Sequence, residues 1–135
     1  MKKLNILLVE DNLIEIVKLK RAITHLAMSH DVTEAENGEV ALQLLRENKI
    51  NPDLILLDLN MPKMNGLEFL SIVRQDESLR HLPIVILTTS SNTKDLTEAY
   101  NLGIAGYILK PLKYDDYMRK MQYTLEYWSY NELLV

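Results

Sequence analysis

Apolar and polar positions along this chain fall into two kinds of segment that take turns. Short, nearly continuous apolar runs occupy residues 4–9, 53–58, 83–88 and 106–109, and a more polar, alternating run occupies residues 31–36. Continuous runs of this length read as strands buried on both faces of a parallel sheet, and the alternating one suits an edge. Between them lie helical patterns over about residues 12–28, 38–48, 66–76, 93–102 and 114–129. Five strands alternating with five helices predict an α/β fold: right-handed crossovers that leave a doubly wound, five-stranded parallel sheet covered on both faces. Turn residues punctuate the pattern where it needs them. Asn37-Gly38 precedes the second helix, Pro52 opens the third strand, and Gly103 follows the fourth helix where a left-handed cap is favoured.

Helical spacing sorts the faces. In the first helix Ile16, Leu19, Ile23 and Leu26 share one side and are expected in the core, while Ile14 and Val17 fall away from it near Lys18 and Arg21. In the last helix Met118, Met121, Leu125 and Trp128 form a core stripe, with Tyr123, Tyr127 and Tyr130 beside it. Tyrosine is amphipathic, so that second stripe either flanks the core or forms an interface. His25, His30 and His81 show no metal-ligand spacing and are expected at the surface or in caps. Met61 and Met64 are expected to shape the loop after the third strand, and Glu34, Glu36 and Glu39 to face solvent.

Composition narrows the field. With 135 residues, 47% hydrophobic and 25% charged, the chain can close one core, and we expect a single domain over 1–135, its core at about 3–128 and a short aromatic tail at 129–135. A net charge of −4 argues against binding nucleic acid directly. Without cysteine there is no disulfide, thiolate metal site or cysteine nucleophile. The apolar run from Ile6 is broken by Glu10-Asp11, so neither a signal peptide nor a membrane span is expected, and the reading is cytoplasmic.

Polar groups then collect at one edge. The first strand ends in Glu10-Asp11, the third in Asp58, the fourth in Thr88-Thr89-Ser90 and the fifth in Lys110-Pro111. In open α/β sheets chemistry gathers just beyond these carboxyl ends. Three carboxylates in one crevice call for a hard divalent cation such as Mg²⁺, and a threonine hydroxyl with an ammonium suits phosphoryl oxygens. Singly, each has a plainer reading: Glu10-Asp11 as a helix N-cap region shared with Asn12, Thr88 as a β-former, Lys110 as a solvated loop charge. Jointly they point to phosphoryl transfer onto Asp58.

These residues resemble a known family. Glu10-Asp11 after Leu7-Leu8-Val9, the stretch from Leu56 to Pro62 with Gly66, the pair Leu87-Thr88, and Lys110-Pro111 look like the receiver domain of two-component response regulators. Thr88 and Lys110 follow Asp58 by 30 and 52 residues, the spacing the family pattern expects. The resemblance covers nearly the whole chain. It implies a flavodoxin-like, CheY-like three-layer sandwich with strand order 2-1-3-4-5.

Carried over by position, the resemblance implies that Asp58 is the phosphoacceptor and that Asp11, Asp58 and the main-chain carbonyl of Asn60 ligate Mg²⁺ or Mn²⁺. Glu10 would act through metal-bound water. Thr88 and Lys110 would hold the phosphoryl group, and Tyr107 would be a switch aromatic whose ring turns from exposed to buried as Thr88 moves. The Lys110–Pro111 bond would be cis, the family's usual form. The donor would be a sensor histidine kinase or histidine phosphotransfer protein, docking near Ile14 and Lys18. The output would pass to a downstream protein, with self-association through Tyr123, Tyr127 and Tyr130 as a further expectation. The chain would not be an enzyme beyond promoting its own phosphorylation and dephosphorylation. With no output domain, it looks most like stand-alone regulators that partner bacterial phytochromes. A related aspartyl-phosphate phosphatase would place a second aspartate where Asn60 stands, and a pseudo-receiver would lack some of these polar groups.

Overall fold

A computed structural model describes residues 2–134. The elements alternate as the pattern requires: β1 (Asn5–Val9), α1 (Leu13–His25), β2 (Asp31–Ala35), α2 (Gly38–Arg46), β3 (Leu54–Leu57), α3 (Gly66–Gln75), β4 (Ile84–Thr88), α4 (Thr93–Asn101), β5 (Gly106–Leu109) and α5 (Tyr114–Ser129). All neighbouring strands pair in parallel, in the order β2-β1-β3-β4-β5. The polar β2 lies at an edge, and β1, β3 and β4 are the interior strands.

The period-two alternation of the strands divides the core into two layers. Leu7, Val9, Ile55, Leu57, Ile84 and Ile86 face α2, α3 and α4, where Leu42, Phe69, Leu70 and Val73 cover them. Ile6, Leu8, Leu54, Leu56, Val85 and Leu87 face α1 and α5, under Ile16, Leu19, Ile23, Met121 and Leu125. Each buried leucine or isoleucine contributes about 2 kcal/mol, so the sheet is held from both sides.

Helix ends are satisfied by local chemistry. Asn12, Asn37, Asn65 and Asn92 cap α1 to α4 through their side chains. Asn37 is therefore a cap, and Gly38 is the first residue of α2. Gly103, at φ +91°, makes the left-handed turn after α4 as expected. Arg74 ties the end of α3 to the Gly103, Arg80 and Leu82 carbonyls, which fixes the approach to β4.

On α5, Tyr117 near its start and Ser129 at its end are buried beside Met121 and Leu125. Beyond the helix Leu133 packs on the α1–α5 layer. Val135, the end of the expected tail, lies outside the described residues. His30, expected at the surface, is 8% exposed. Its Nδ1 accepts the Leu4 amide at 2.9 Å, and its Nε2 lies 3.4 Å from the Ser129 hydroxyl. Loss of water on burial lowers the pKa of His30 from its usual range.

A lowered histidine pKa means the unfolded chain takes up the proton more readily. The stability it represents is present above about pH 6.5 and lost as pH falls toward the folded value. His30→Gln, which retains an acceptor for Leu4, is expected to flatten the fall in denaturation midpoint between about pH 7 and about pH 5. An unchanged slope would remove His30 as the acid-sensitive group.

Candidate functional site

The crevice is built at the carboxyl ends of β1, β3, β4 and β5. Strand order reverses between β1 and β3, the place where such sheets open a cleft. Beyond β1 the chain is still anchored, because the Glu10 amide donates to the Ala35 carbonyl at 2.9 Å. Asn12 does the capping of α1, accepting the Ile14 amide at 2.9 Å. Asn12 is therefore the cap, and Glu10 supports it by accepting the Asn12 amide through Oε2 at 3.3 Å while its Oε1 faces Lys110.

Asp58 extends the ladder by one step, its amide donating to the Val9 carbonyl at 3.0 Å. Its Oδ1 accepts the Leu59 amide at 2.9 Å, which orients the carboxylate. The loop that follows turns back on itself. Gly66 donates its amide to the Leu59 carbonyl at 3.0 Å, and Asn65 and Glu68 form a reciprocal capping box at the start of α3. A Cβ on Gly66 would lie 2.4 Å from the Asp58 carbonyl oxygen and 2.8 Å from the Leu59 Cα, so no other side chain fits without moving the backbone of the aspartate. Met61 and Met64 pack against the core and brace the loop, as expected of them.

One carboxylate oxygen from each of Glu10, Asp11 and Asp58 lies within 4.8 Å of the others. Glu10 and Asp58 are buried and Asp11 is exposed, so the cluster has a closed back and an open front. Lys110 enters from β5 with its Nζ 2.6 Å from Glu10 Oε1 and 3.6 Å from Glu15 Oε2. Burial is the largest influence on Glu10 and pushes its pKa up to about 7, with Asp58 adding repulsion and Lys110 opposing both. For Lys110, burial would lower the value, but the hydrogen bond to Glu10 and the charges of Asp58, Glu10 and Glu15 outweigh it and hold it above the usual lysine range.

Thr88 is fully buried. Its Oγ1 accepts the Ser90 amide at 3.3 Å, and its carbonyl accepts the Lys110 amide at 2.8 Å, so β4 and β5 leave the sheet together. Tyr107 is half-buried, and its hydroxyl donates to the Ser90 carbonyl at 2.8 Å. The exposed starting position expected for that ring is not the one seen. Asn60 is exposed and lines a shallow depression with Asp11 and Asp95.

The expected cis bond is also corrected. The Lys110–Pro111 bond is trans, as are the other peptide bonds among the described residues. With a trans bond the ammonium already reaches Glu10, and trans is the lower-energy isomer by about 0.5–1 kcal/mol. Two site residues escaped the sequence reading. Glu15 lies in the first turn of α1, and Asp95 in the first turn of α4 accepts the Ser90 hydroxyl at 2.8 Å; neither position sets them apart in the sequence.

Charge count and donor type fit a divalent cation. Three carboxylates converge on a crevice whose paired ammonium, Lys110, is already shared with Glu15. All-oxygen donors suit Mg²⁺ or Mn²⁺.

Comparison with known proteins decides the family. Residues 6–122 match the model of the response regulator receiver domain. The chain belongs to that family. A probable methanogenesis regulatory protein, FilR2, from Methanothrix harundinacea is 38% identical over 91% of this chain and 82% of its own. Response regulator Rcp1 from Synechocystis is 33% identical over 91% of this chain and 87% of its own. The Mn²⁺-bound structure of Rcp1 superposes with a TM-score of 0.90 at 31% identity, covering 98% of this chain and 99% of that one. The phosphorylated cyanobacterial phytochrome response regulator RcpA gives a TM-score of 0.92 at 34% identity, covering 98% and 99%. Receivers are phosphorelay signalling domains, phosphorylated on an aspartate, that bind Mg²⁺ or Mn²⁺ in an acidic pocket and work with histidine kinases or phosphotransfer proteins. This chain is a receiver of that family, and the solved structures it is similar to include a phytochrome response regulator. No helix among the described residues is long and apolar enough to cross a membrane.

The tight fit at Gly66 gives a direct test. Gly66→Ala is expected to destabilise the fold by about 1–3 kcal/mol through overpacking and to weaken Mg²⁺ binding. Gly38→Ala, whose added carbon meets mainly the flexible Met64 side chain and the Phe69 Cβ, is expected to cost less. Equal denaturation midpoints for the two variants would contradict the close approach.

Proposed function

We propose that Asp58 is the phosphoacceptor of this receiver, taking a phosphoryl group from the phosphohistidine of a sensor kinase or phosphotransfer protein. The observation that carries this is the convergence of Glu10, Asp11 and Asp58, with Lys110 beside them, at the open edge of the sheet. Asp11, Asp58 and the Asn60 carbonyl would hold Mg²⁺ or Mn²⁺, with Glu10 acting through metal-bound water. When bound, the ion supplies positive charge that offsets repulsion between the carboxylates and the phosphoryl oxygens.

This chain's own residues do the remaining work. The Leu59 amide holds one Asp58 oxygen, leaving the other free to attack. Lys110 and the Thr88 hydroxyl accept the new charge, roughly −1.5 to −2 by analogy with other phosphorylated side chains. Thr88 moving toward it would draw Ser90, and with Ser90 the hydroxyl of Tyr107, so that the α4–β5–α5 surface changes. Tyr107 then acts as a switch by following Ser90 from its half-buried position and not by a swing from full exposure. Catalysis is confined to this self-modification and to hydrolysis of the acyl phosphate, and we place the protein in the cytoplasm as one receiver unit.

Incubation with Mg²⁺ and beryllofluoride or acetyl phosphate is expected to modify the wild type and leave Asp58→Asn untouched. Modification that survives in Asp58→Asn would overturn the assignment.

Two surfaces suit partners. Ile14, 73% exposed, lines an apolar depression with exposed Leu13 and half-buried Lys18, where a phosphodonor helix would dock. Tyr123, Tyr127 and Tyr130 are all exposed along α5 and its cap, and we assign them to self-association or to the downstream protein. Ile14→Asp is expected to slow phosphotransfer from a kinase while leaving reaction with acetyl phosphate intact, and serine at all three tyrosines to lower the sedimenting mass. Unchanged transfer or unchanged mass would each remove the corresponding surface.

A further inference from the structure

Lys110 pairs with residues other than the one it is expected to serve. Among the described residues its ion pairs run to Glu10 at 2.6 Å and to Glu15 at 3.6 Å, and none joins it to Asp58. The Glu15 contact is unusual in its own right. Its Oε2 is buried without a hydrogen-bond partner, too far from the ammonium to accept from it. Its other oxygen lies 3.7 Å from Lys18 Nζ, and that ammonium stands 4.5 Å from the centroid of the buried Tyr117 ring. The Glu15 side chain is mostly buried, 19% exposed, and of its two cation contacts the one to Lys110 is the shorter.

We propose that Glu15 is a positioning residue that competes with the phosphoryl group for Lys110. The inference rests on Asp58 being the phosphoacceptor. In the resting chain the ammonium is shared between Glu10 and Glu15. A phosphoryl group on Asp58 offers three acceptor oxygens and a larger charge, and Lys110 leaves Glu15 to meet it. Glu15 therefore opposes capture of the phosphoryl group and limits how tightly the site holds it. Once released, Glu15 has Lys18 as its remaining cation, so the state of Asp58 is passed to the contact between Lys18 and Tyr117, where α1 meets α5.

The probe is beryllofluoride at saturating Mg²⁺, followed by fluorine NMR on the full chain. Wild type binds and Asp58→Asn does not. Glu15→Gln binds roughly threefold more tightly or better, the size expected of a partly exposed ion pair, and Glu15→Asp, which keeps the charge one methylene further from Lys110, falls between Glu15→Gln and wild type. Mg²⁺ affinity without beryllofluoride does not rise in Glu15→Gln, because an anion has been removed near the metal; general loosening of the fold would instead weaken both. A structure of the wild-type beryllofluoride complex shows Lys110 beyond about 4 Å from Glu15, outside ion-pair range. The proposal is overturned if Glu15→Gln binds no more tightly while wild-type binding remains dependent on Asp58, or if Lys110 stays paired with Glu15 in the complex. Wild type that fails to bind removes the phosphoacceptor reading, and this proposal with it.

Discussion

Like charges held together at the edge of an apolar sheet are the constraint on which this structure turns. Glu10, Asp11 and Asp58 bring carboxylate oxygens within 4.8 Å of one another, and two of the three are buried. Such a cluster is unfavourable unless cations offset it. The fold opposes the repulsion by covalent and packing means: β1 and β3 are adjacent, their apolar faces are covered on both sides, and the residues just past their ends are still hydrogen-bonded to neighbouring strands. Lys110 supplies one positive charge across the cleft. The remaining imbalance is what makes the site receptive to a divalent ion.

Most of the architecture was legible because the signals were periodic. Continuous apolar runs named β1, β3 and β4, and the polar alternation of residues 31–36 put β2 at an edge. The site was legible because its members sit at strand ends, where topology alone brings them together. Side chains that act through partners distant in sequence were less visible. His30 looks like a surface residue until Leu4 and Ser129 close over it, and Tyr117 reads as one tyrosine among several until α1 covers its ring. Glu15 joins the site only because the fold brings Lys110, 95 residues later, within 3.6 Å of it.

The two ends of the sheet carry different burdens. At the carboxyl edge the groups are charged, crowded and shared among competing partners, which suits a state that changes. At the opposite edge His30, Ser129 and Leu4 form neutral contacts, and the Lys2 amide donates to the Ser129 carbonyl. α5 runs between these regimes, from the exposed Tyr114 near the crevice to the buried Ser129. One end of that helix can respond while the other stays fixed.

The fit of Gly66 against the Asp58 carbonyl reaches further than one residue. The chain leaves the aspartate, makes its excursion through residues 59–65, and returns to press on the point of departure. Such a ring tolerates new letters more readily than new length. The exposed Pro62 and Lys63 could be exchanged, whereas a single inserted or deleted residue would open the ring and shift the backbone of Asp58. The distance along the chain from the aspartate to this glycine is thus a ruler that sequence drift is not free to stretch.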